Sequence, residues 1–238
     1  MIEPLLSGGL AEYGLTDRLP PQAVPALDRY ARELLEKNKV MNLTAIRDME
    51  GVARLHMLDC AALLQFCDLK GKTLIDVGTG AGFPGMVLKV LVPSLEVTLL
   101  DSQQKRLAWL EELQDALGVT GLETLHGRAE EQGREPALRE RFDFAASRAV
   151  AALPVLAELC LPFVKPGGMF LAMKSVDSDA ELAEAAGALE TLGGRVEGTE
   201  DYRIPGTDVT HRLILIKKTR PCEKKYPRPF AKIKKNPL

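Results

Sequence analysis

One segment constrains the fold of this chain more than any other, Leu74-Ile-Asp-Val-Gly-Thr-Gly-Ala-Gly-Phe-Pro-Gly85. Its aliphatic start is typical of a buried parallel strand, and the glycines that follow predict a tight turn. Pro84 suits the first position of a helix, where its missing N–H costs nothing. A strand, a glycine turn and a helix in this order predict an α/β fold in which a ligand lies against the turn and the helix N-terminus.

The glycine spacing fits two kinds of cofactor. Gly80, Gly82 and Gly85 match the G-x-G-x-x-G pattern of dinucleotide-binding domains, in which a pyrophosphate lies at the helix N-terminus. Read from Asp76 through Gly78, the same segment is D-x-G-x-G-x-G, which resembles the first motif of class I S-adenosylmethionine methyltransferases. A carboxylate beside the turn would repel a pyrophosphate but attract the ammonium and sulfonium groups of S-adenosylmethionine. We therefore expect S-adenosylmethionine as the cofactor, bound by Asp76, Gly78, Gly80 and Gly82.

Length and composition bound the class of protein. With 238 residues the chain exceeds one average domain and falls short of two, so we expect one large core with an extension. The N-terminus lacks the pattern of a signal peptide, and no run reaches the about 18 apolar residues that span a bilayer, which predicts a cytoplasmic protein. The four cysteines form no C-x-x-C pair and there are only three histidines, so neither a disulfide framework nor a metal site is expected.

Charge is distributed unevenly along the chain. The net charge is −2, yet residues 217–238 contain nine Lys or Arg and one Glu, which leaves 22 basic and 32 acidic residues before them. A basic tail on an acidic body suggests a polyanionic partner. Tyr226 and Phe230 stand among these cations, so the tail could neutralise phosphates and stack on bases. The alternative is a disordered, solubilising tail.

Further predicted strands end in polar residues. Asp101 follows the second predicted strand, residues 95–100, where an acid can accept both ribose hydroxyls of a nucleoside; alternatively, it caps the next helix. Arg148 and Lys174 end the fourth and fifth predicted strands. Ligands of an open parallel sheet bind beyond the carboxyl ends of its strands, so Ser147 and Arg148 should face the transferred group and the substrate.

The two ends of the chain add helices and a hairpin. Residues 20–39 and 49–67 have the spacing of amphipathic helices. In the second of these, His56 and Asp59 are three residues apart and could touch on one helix face, either as a structural pair or as contacts to ligand or RNA. Segments 195–204 and 211–219 predict a hairpin.

This hairpin separates the two classes of fold, because a methyltransferase sheet closes with an antiparallel strand whereas a dinucleotide domain continues with parallel units. We therefore predict an N-terminal helical extension (1–70), a Rossmann-like methyltransferase domain that binds S-adenosylmethionine (71–219) and a basic C-terminal tail (220–238).

Several motifs together resemble the RsmG family, also called GidB, of bacterial 16S rRNA methyltransferases. They are Asn42-Leu-Thr44, His56-Met-Leu-Asp59, the glycine segment, Gly127-Arg-Ala-Glu130, Ser147-Arg-Ala149, Met173-Lys-Ser175, Lys225-Tyr-Pro-Arg228 and Asn236-Pro-Leu238. The resemblance implies a class I fold, with a seven-stranded, mostly parallel sheet and an antiparallel final strand. It implies methyl transfer from S-adenosylmethionine to N7 of a guanine, with 16S rRNA or the small ribosomal subunit as partner. The sequence does not determine the oligomeric state, and we expect a monomer.

The resemblance also implies residue roles. Residues after the third strand of class I methyltransferases flank the adenine, which makes Ala129 and Glu130 candidates, whereas Glu131 is better explained as surface charge. Carried over by position, the cofactor contacts are Gly78, Phe83, Asp101, Ser102, Gln103, Ala129, Glu130 and Arg148.

Guanine N7 carries a lone pair and no proton, so its methylation needs no general base. In agreement, the fourth strand is followed neither by Asn/Asp-Pro-Pro-Tyr nor by a Pro-Cys pair. We expect Arg148 and Lys174 to act in catalysis by gripping a phosphate or guanine O6. Two other functions stay open at this point, a methyltransferase of small molecules and a non-catalytic RNA-binding ribosome assembly factor.

Overall fold

The computed structural model describes residues 1–148 and 151–238, so Ala149 of the Ser-Arg-Ala motif lies outside the described residues. The described strands are β1 (Thr73–Val77), β2 (Glu96–Asp101), β3 (Leu122–His126), β4 (Phe142–Arg148), β5 (Val164–Ser175), β6 (Gly194–Arg203) and β7 (Thr210–Lys218). They form one seven-stranded sheet in the order β3-β2-β1-β4-β5-β7-β6. Strands β1 to β5 pair in parallel, and β7 is antiparallel to both β5 and β6. The predicted α/β class, with an antiparallel last strand, is confirmed.

Helices flank the sheet and precede it. They are α1 (Glu3–Glu12), α2 (Ala23–Met41), α5 (Gly85–Leu91), α6 (Gln104–Leu117), α7 (Ala129–Gln132), α8 (Leu153–Cys160), α9 (Asp179–Glu184), α10 (Ala186–Leu192) and α11 (Phe230–Lys235). Residues 49–65 are helical throughout, as α3 (Met49–Val52), a π-helical stretch (Ala53–Leu58), α4 (Asp59–Ala61) and a 3₁₀ turn (Ala62–Gln65). No helix among the described residues is long and apolar enough to span a membrane.

The sheet separates two hydrophobic cores, because successive side chains of a strand point to opposite faces. On β1, Leu74 belongs to the core that includes α1, α2, α5, α6 and the helical segment 49–65. Its neighbour Ile75 belongs to the other core, with α8, α10 and α11. The N-terminal helices therefore share a core with one face of the sheet.

Glycine and proline shape two of the helices. Helix α1 contains Gly8 and Gly9, although glycine is a poor helix former. The helix forms because a side chain at position 9 would collide with Leu58, so glycine permits close packing of α1 on the segment 49–65. Pro84 is the N-cap of α5 and not its first residue.

The C-terminal tail is packed on the body of the protein. Tyr226 and Ile233 are buried, and the Arg139 guanidinium donates to the main-chain oxygens of Cys222, Glu223 and Tyr226. The tail is thus not a disordered segment, and Tyr226 is not free to stack on bases. The reason is enclosure by residues distant in sequence, which a local charge pattern does not reveal.

One ion pair anchors this tail. Arg228 donates through Nη2 to Oε2 of Glu158 at 2.6 Å, and its main-chain N–H reaches Oε1 at 2.7 Å. The side chain of Glu158 is 0% exposed and that of Arg228 is 12% exposed. A carboxylate this deeply buried depends on its partner for compensation.

We expect Arg228→Ala to lower the free energy of unfolding by about 3 kcal/mol, because it leaves the buried Glu158 carboxylate without its charge partner. The matched control is Lys225→Ala, which removes an exposed pair with Glu223 and should lower the free energy of unfolding far less. Urea denaturation of both variants measures the difference. Equal losses would contradict the anchoring role.

Candidate functional site

Two adjoining cavities lie at the carboxyl edge of the parallel strands. Their volumes are about 540 and 360 Å³, and both are lined by Gly78 and Arg148. The larger cavity is further lined by Leu43, Thr44, His56, Asp59, Thr79, Gly80, Ala81, Phe83, Met173, Lys174, Ser175 and His211. The smaller is further lined by Val77, Leu100, Asp101, Ser102, Arg106, Gly127, Arg128, Ala129, Glu130, Leu159 and Phe230.

The glycine turn exposes bare main chain to these cavities. Gly78 and Gly80 have φ of 76° and 58°, a region that favours glycine. A Cβ at Gly80 would point into nearly open space, so a ligand can approach its main chain. Gly82 has a different reason to be glycine, since a Cβ there would lie 2.5 Å from the hydroxyl of Tyr30. Of the predicted glycine contacts, Gly82 therefore serves internal packing and lines neither cavity.

Asp76 lies beneath the turn and is fully buried. Its Oδ2 accepts hydrogen bonds from the Thr79 hydroxyl at 2.7 Å and the Gly85 N–H at 2.8 Å. Burial raises the pKa of Asp76 to about 6, although these two hydrogen bonds act in the opposite direction. Within residues 1–148 and 151–238 no group hydrogen bonds to Oδ1. The carboxylate thus fixes the shape of the turn and keeps one acceptor atom available.

Residues after β2 and β3 form the smaller cavity. Asp101 accepts from the Gly80 N–H at 2.9 Å and from the Gln103 N–H at 2.8 Å, and Arg106 Nη1 lies 3.6 Å from its Oδ2. Asp101 does not cap α6, whose N-cap is Gln103. Among the other predicted contacts, Ser102, Ala129 and Glu130 line this cavity, whereas Gln103 does not.

Arg148, at the end of β4, stands where the two cavities meet. Its Nη1 donates to Asp59 Oδ2 and to the main-chain oxygen of Leu55, both at 3.0 Å, and its Nη2 lies 2.9 Å from His56 Nδ1. Its Cζ lies 4.8 Å from the centre of the Phe83 ring. His56 and Asp59, expected to touch each other, instead each contact Arg148. The π-helical stretch changes their relative placement.

Asp59 accepts hydrogen bonds from side chains on three strands. Besides Arg148 it accepts hydrogen bonds from the Tyr202 hydroxyl on β6 and from His211 Nδ1 on β7, both at 2.8 Å. Its side chain is 1% exposed. Burial alone would raise the pKa of Asp59, but the hydrogen bond from His211 and the charge of Arg148 outweigh it and lower that pKa.

Lys174 lines the larger cavity, and its ammonium is engaged by the protein. Its Nζ lies 2.6 Å from Glu181 Oε2 and donates to the main-chain oxygen of Ala151 at 3.1 Å. Its side chain is 11% exposed. The predicted grip of Lys174 on a substrate would therefore require the amine to exchange these partners.

Sequence reasoning missed several residues that line the cavities. His211, the second residue of β7, pairs with Ser175, because an antiparallel strand starts at the edge where β5 ends. The predicted hairpin contained that signal. Thr44 belongs to the Asn-Leu-Thr motif and Phe230 to the basic tail. No local pattern, however, indicated that either residue lines a cavity.

Fold and site together define a class I methyltransferase, with a glycine turn after β1, an acid after β2 and an antiparallel β7. TrmN from Thermus thermophilus has a similar fold, with a TM-score of 0.52 and 21% identity over 68% of this chain and 48% of that one. A structure titled a predicted O-methyltransferase from Agrobacterium tumefaciens has a TM-score of 0.50 and 22% identity over 66% and 79% of the two chains.

The chain belongs to the GidB family, whose family model, described as rRNA small subunit methyltransferase G, matches residues 23–205. Relatives with that name include one from Acetivibrio thermocellus, 43% identical over 100% of this chain and 97% of its own length. Another, from Lachnoclostridium phytofermentans, is 48% identical over 97% and 95%.

The Asp59–His211 pair predicts a pH-dependent stability. The hydrogen bond to Asp59 raises the pKa of His211 above its ordinary value of 6.5. A raised pKa in the folded state contributes stability below the unfolded-state value, and that contribution is lost as pH rises through the folded-state value. The stability gap between the wild type and His211→Gln should therefore be largest below pH 6.5 and shrink as the pH rises above that value, through the folded-state pKa of His211.

Urea denaturation across this pH range measures the gap. The same substitution in an Asp59→Asn background is the control, because there the charged imidazole has no carboxylate to stabilise it. A pH dependence that persists unchanged in that background would contradict the assignment to this pair.

Proposed function

We propose that the protein transfers a methyl group from S-adenosylmethionine to N7 of a guanine in 16S ribosomal RNA. Membership of a family described as rRNA small subunit methyltransferases supports the reaction and the class of substrate. The observation that carries the proposal is the pair of cavities that meet at Gly78 and Arg148. One has the acids and bare main chain suited to a nucleoside, and the other is large enough for a base.

The residues present fit S-adenosylmethionine. Gly80 leaves room for a ligand against its main chain, Gly78 lines both cavities, and the free Oδ1 of Asp76 suits a nearby cationic group. When bound, this cofactor supplies a methyl group on a positively charged sulfur. We propose that its nucleoside is held by Asp101, Ser102, Ala129 and Glu130, and its amino-acid end near Gly78, Gly80, Phe83 and Arg148. Gly82 and Gln103 would act indirectly, by shaping the main chain, and Asp76 would both shape the turn and attract the cationic groups of the cofactor.

The chain needs to orient the guanine and does not need to remove a proton. The N7 lone pair lies in the plane of the ring and is free to attack, so holding it in line can supply about 7 to 11 kcal/mol of the barrier in favourable cases. We propose that Arg148, at the junction of the cavities, contributes a fixed positive charge, and that Lys174 reaches substrate only by leaving Glu181. Both remain predictions as catalytic residues.

The surface beside the smaller cavity suits an RNA. Phe230, the first residue of α11, lines that cavity, and Lys232, Lys234 and Lys235 on the same helix are exposed. Lysines placed there would neutralise phosphates close to the reaction. N7 faces the deep major groove of an RNA helix, so the target guanine must be unpaired or opened. We propose that a monomer acts in the cytoplasm, where ribosomal RNA is made. Residues 1–70 would contribute a wall of the substrate cavity, residues 71–219 the cofactor site, and residues 220–238 contacts to RNA.

The experiment is methyl transfer from tritiated S-adenosylmethionine by the purified protein. Small subunits and naked 16S rRNA from cells lacking this gene are the acceptors, with a small-metabolite pool in parallel. We expect label in RNA that digestion recovers as N7-methylguanosine. Label in metabolites alone would establish the small-molecule alternative. Binding of RNA and cofactor without any transfer would establish the assembly factor.

The smaller cavity offers a matched pair of acids. Glu130 is buried and lines the cavity, whereas its neighbour Glu131 is exposed. Loss of a charged hydrogen bond to the adenine amino group should weaken cofactor binding by about 10- to 100-fold in Glu130→Ala. We expect Glu131→Ala to bind within about twofold of the wild type, because an exposed charge contributes little. Calorimetry with S-adenosylhomocysteine checks both, and equal affinities would contradict the role of Glu130.

A further inference from the structure

Thr44 lines the larger cavity from a loop that the protein holds in place. This loop joins α2 to the helical segment 49–65. The buried Asn38 side chain clamps it, since Oδ1 accepts from the N–H groups of Leu43 at 2.7 Å and Thr44 at 3.0 Å. Nδ2 of the same side chain donates to the main-chain oxygen of Thr44 at 2.9 Å. The Thr44 hydroxyl is therefore carried by a fixed main chain.

The proton on His56 can be assigned from its neighbours. Arg148 Nη2 is always a donor and lies 2.9 Å from His56 Nδ1, so Nδ1 must accept. Nδ1 also lies 3.1 Å from the main-chain oxygen of Leu55, but an Nδ1 that accepts from Arg148 carries no proton to donate to that oxygen. Burial, together with the charge of Arg148, lowers the pKa of His56 to about 4, so the ring is neutral at pH 7. Its one proton is therefore on Nε2.

This assignment fixes what the Thr44 hydroxyl can do. His56 Nε2, 2.7 Å away, donates to Thr44 Oγ1, and the Ile46 N–H donates to the same oxygen at 3.1 Å. A hydroxyl oxygen has two lone pairs, and both are now occupied. The hydroxyl can then only donate its own proton, and among the described residues no acceptor receives it. A ligand group recognised by Thr44 must be an acceptor.

We propose that the Thr44 hydroxyl donates a hydrogen bond to O6 of the target guanine and thereby selects guanine over adenine. The inference rests on the proposed function. On the edge of guanine that carries N7, the acceptors are N7 and O6, and adenine carries an amino group in place of O6. The N7 lone pair must stay free to accept the methyl group, which leaves O6 as the acceptor.

Two substitutions separate the hydroxyl from the shape of the side chain. Thr44→Val keeps the volume but removes the hydroxyl, both as donor and as acceptor for His56 and Ile46, whereas Thr44→Ser keeps the hydroxyl. We expect Thr44→Val to lower kcat/KM for rRNA methylation about tenfold, and Thr44→Ser to stay within about threefold of the wild type. Affinity for S-adenosylhomocysteine should be unchanged within about twofold in both. An affinity loss in Thr44→Val that matches its loss of activity would overturn the proposal, because Thr44 would then contact the cofactor.

A change in the base tests the contact directly. The wild type first locates the methylated guanosine, and ligated RNA then carries 2-aminopurine at that position, which keeps N7 and lacks O6. We expect the kcat/KM of the wild type to fall about tenfold on this RNA, and that of Thr44→Val to be no lower on this RNA than on the guanosine RNA. If the loss caused by 2-aminopurine and the loss caused by Thr44→Val multiply, the valine acts through the structure of the loop. That result would overturn the proposed contact with O6 but not the proposed function. Absence of any rRNA methylation by the wild type would overturn the proposed function itself, and the contact with it.

Discussion

A buried carboxylate without hydrogen-bond donors or a charge partner is among the most costly features a fold can contain. Asp59 is such a buried carboxylate, and the fold supplies its partners. Its side chain belongs to the N-terminal helical segment, yet its three side-chain donors come from β4, β6 and β7. The helical segment and the sheet must therefore meet in one arrangement for the charge to be satisfied. That arrangement also determines where Arg148 stands, because the same carboxylate holds its guanidinium at the junction of the two cavities.

The glycine turn is held from two sides in a similar way. From the sheet side, Asp76 accepts hydrogen bonds from the Thr79 hydroxyl and the Gly85 N–H. From the N-terminal side, the buried Tyr30 of α2 donates to the main-chain oxygen of Ala81 and stacks on Phe83, with ring centres 5.5 Å apart. Helix α2 thus helps to hold the glycine turn, and Gly82 is glycine because Tyr30 needs the space. Contacts within the protein already fix the shape of the turn, which reduces the ordering that binding of a ligand requires.

Sequence reasoning succeeded where the chemistry follows the chain locally. The ends of parallel strands meet at one edge, so Asp101, Glu130 and Arg148 could be predicted to line a site from strand positions and motifs. It failed where partners are distant. Asp59 and His211 are 152 residues apart, and no local pattern states that they pair. The tail shows the same limit of sequence reasoning. Its positive charge could be read from the sequence, whereas the pairing of Arg228 with the buried Glu158 could not.

The chemistry proposed for N7 explains a pattern in these ion pairs. A strong donor that reached the N7 lone pair would occupy the electrons that must attack the methyl group, so cations near the reacting base are useful for their field and harmful as direct donors. Arg148 and Lys174 both line the larger cavity, and Asp59 and Glu181 engage their charged ends. Neutral groups that line the same cavity, among them the Thr44 hydroxyl, can then recognise the base without competing for its nucleophile. The same acids that stabilise the fold thereby restrict which groups can touch the substrate.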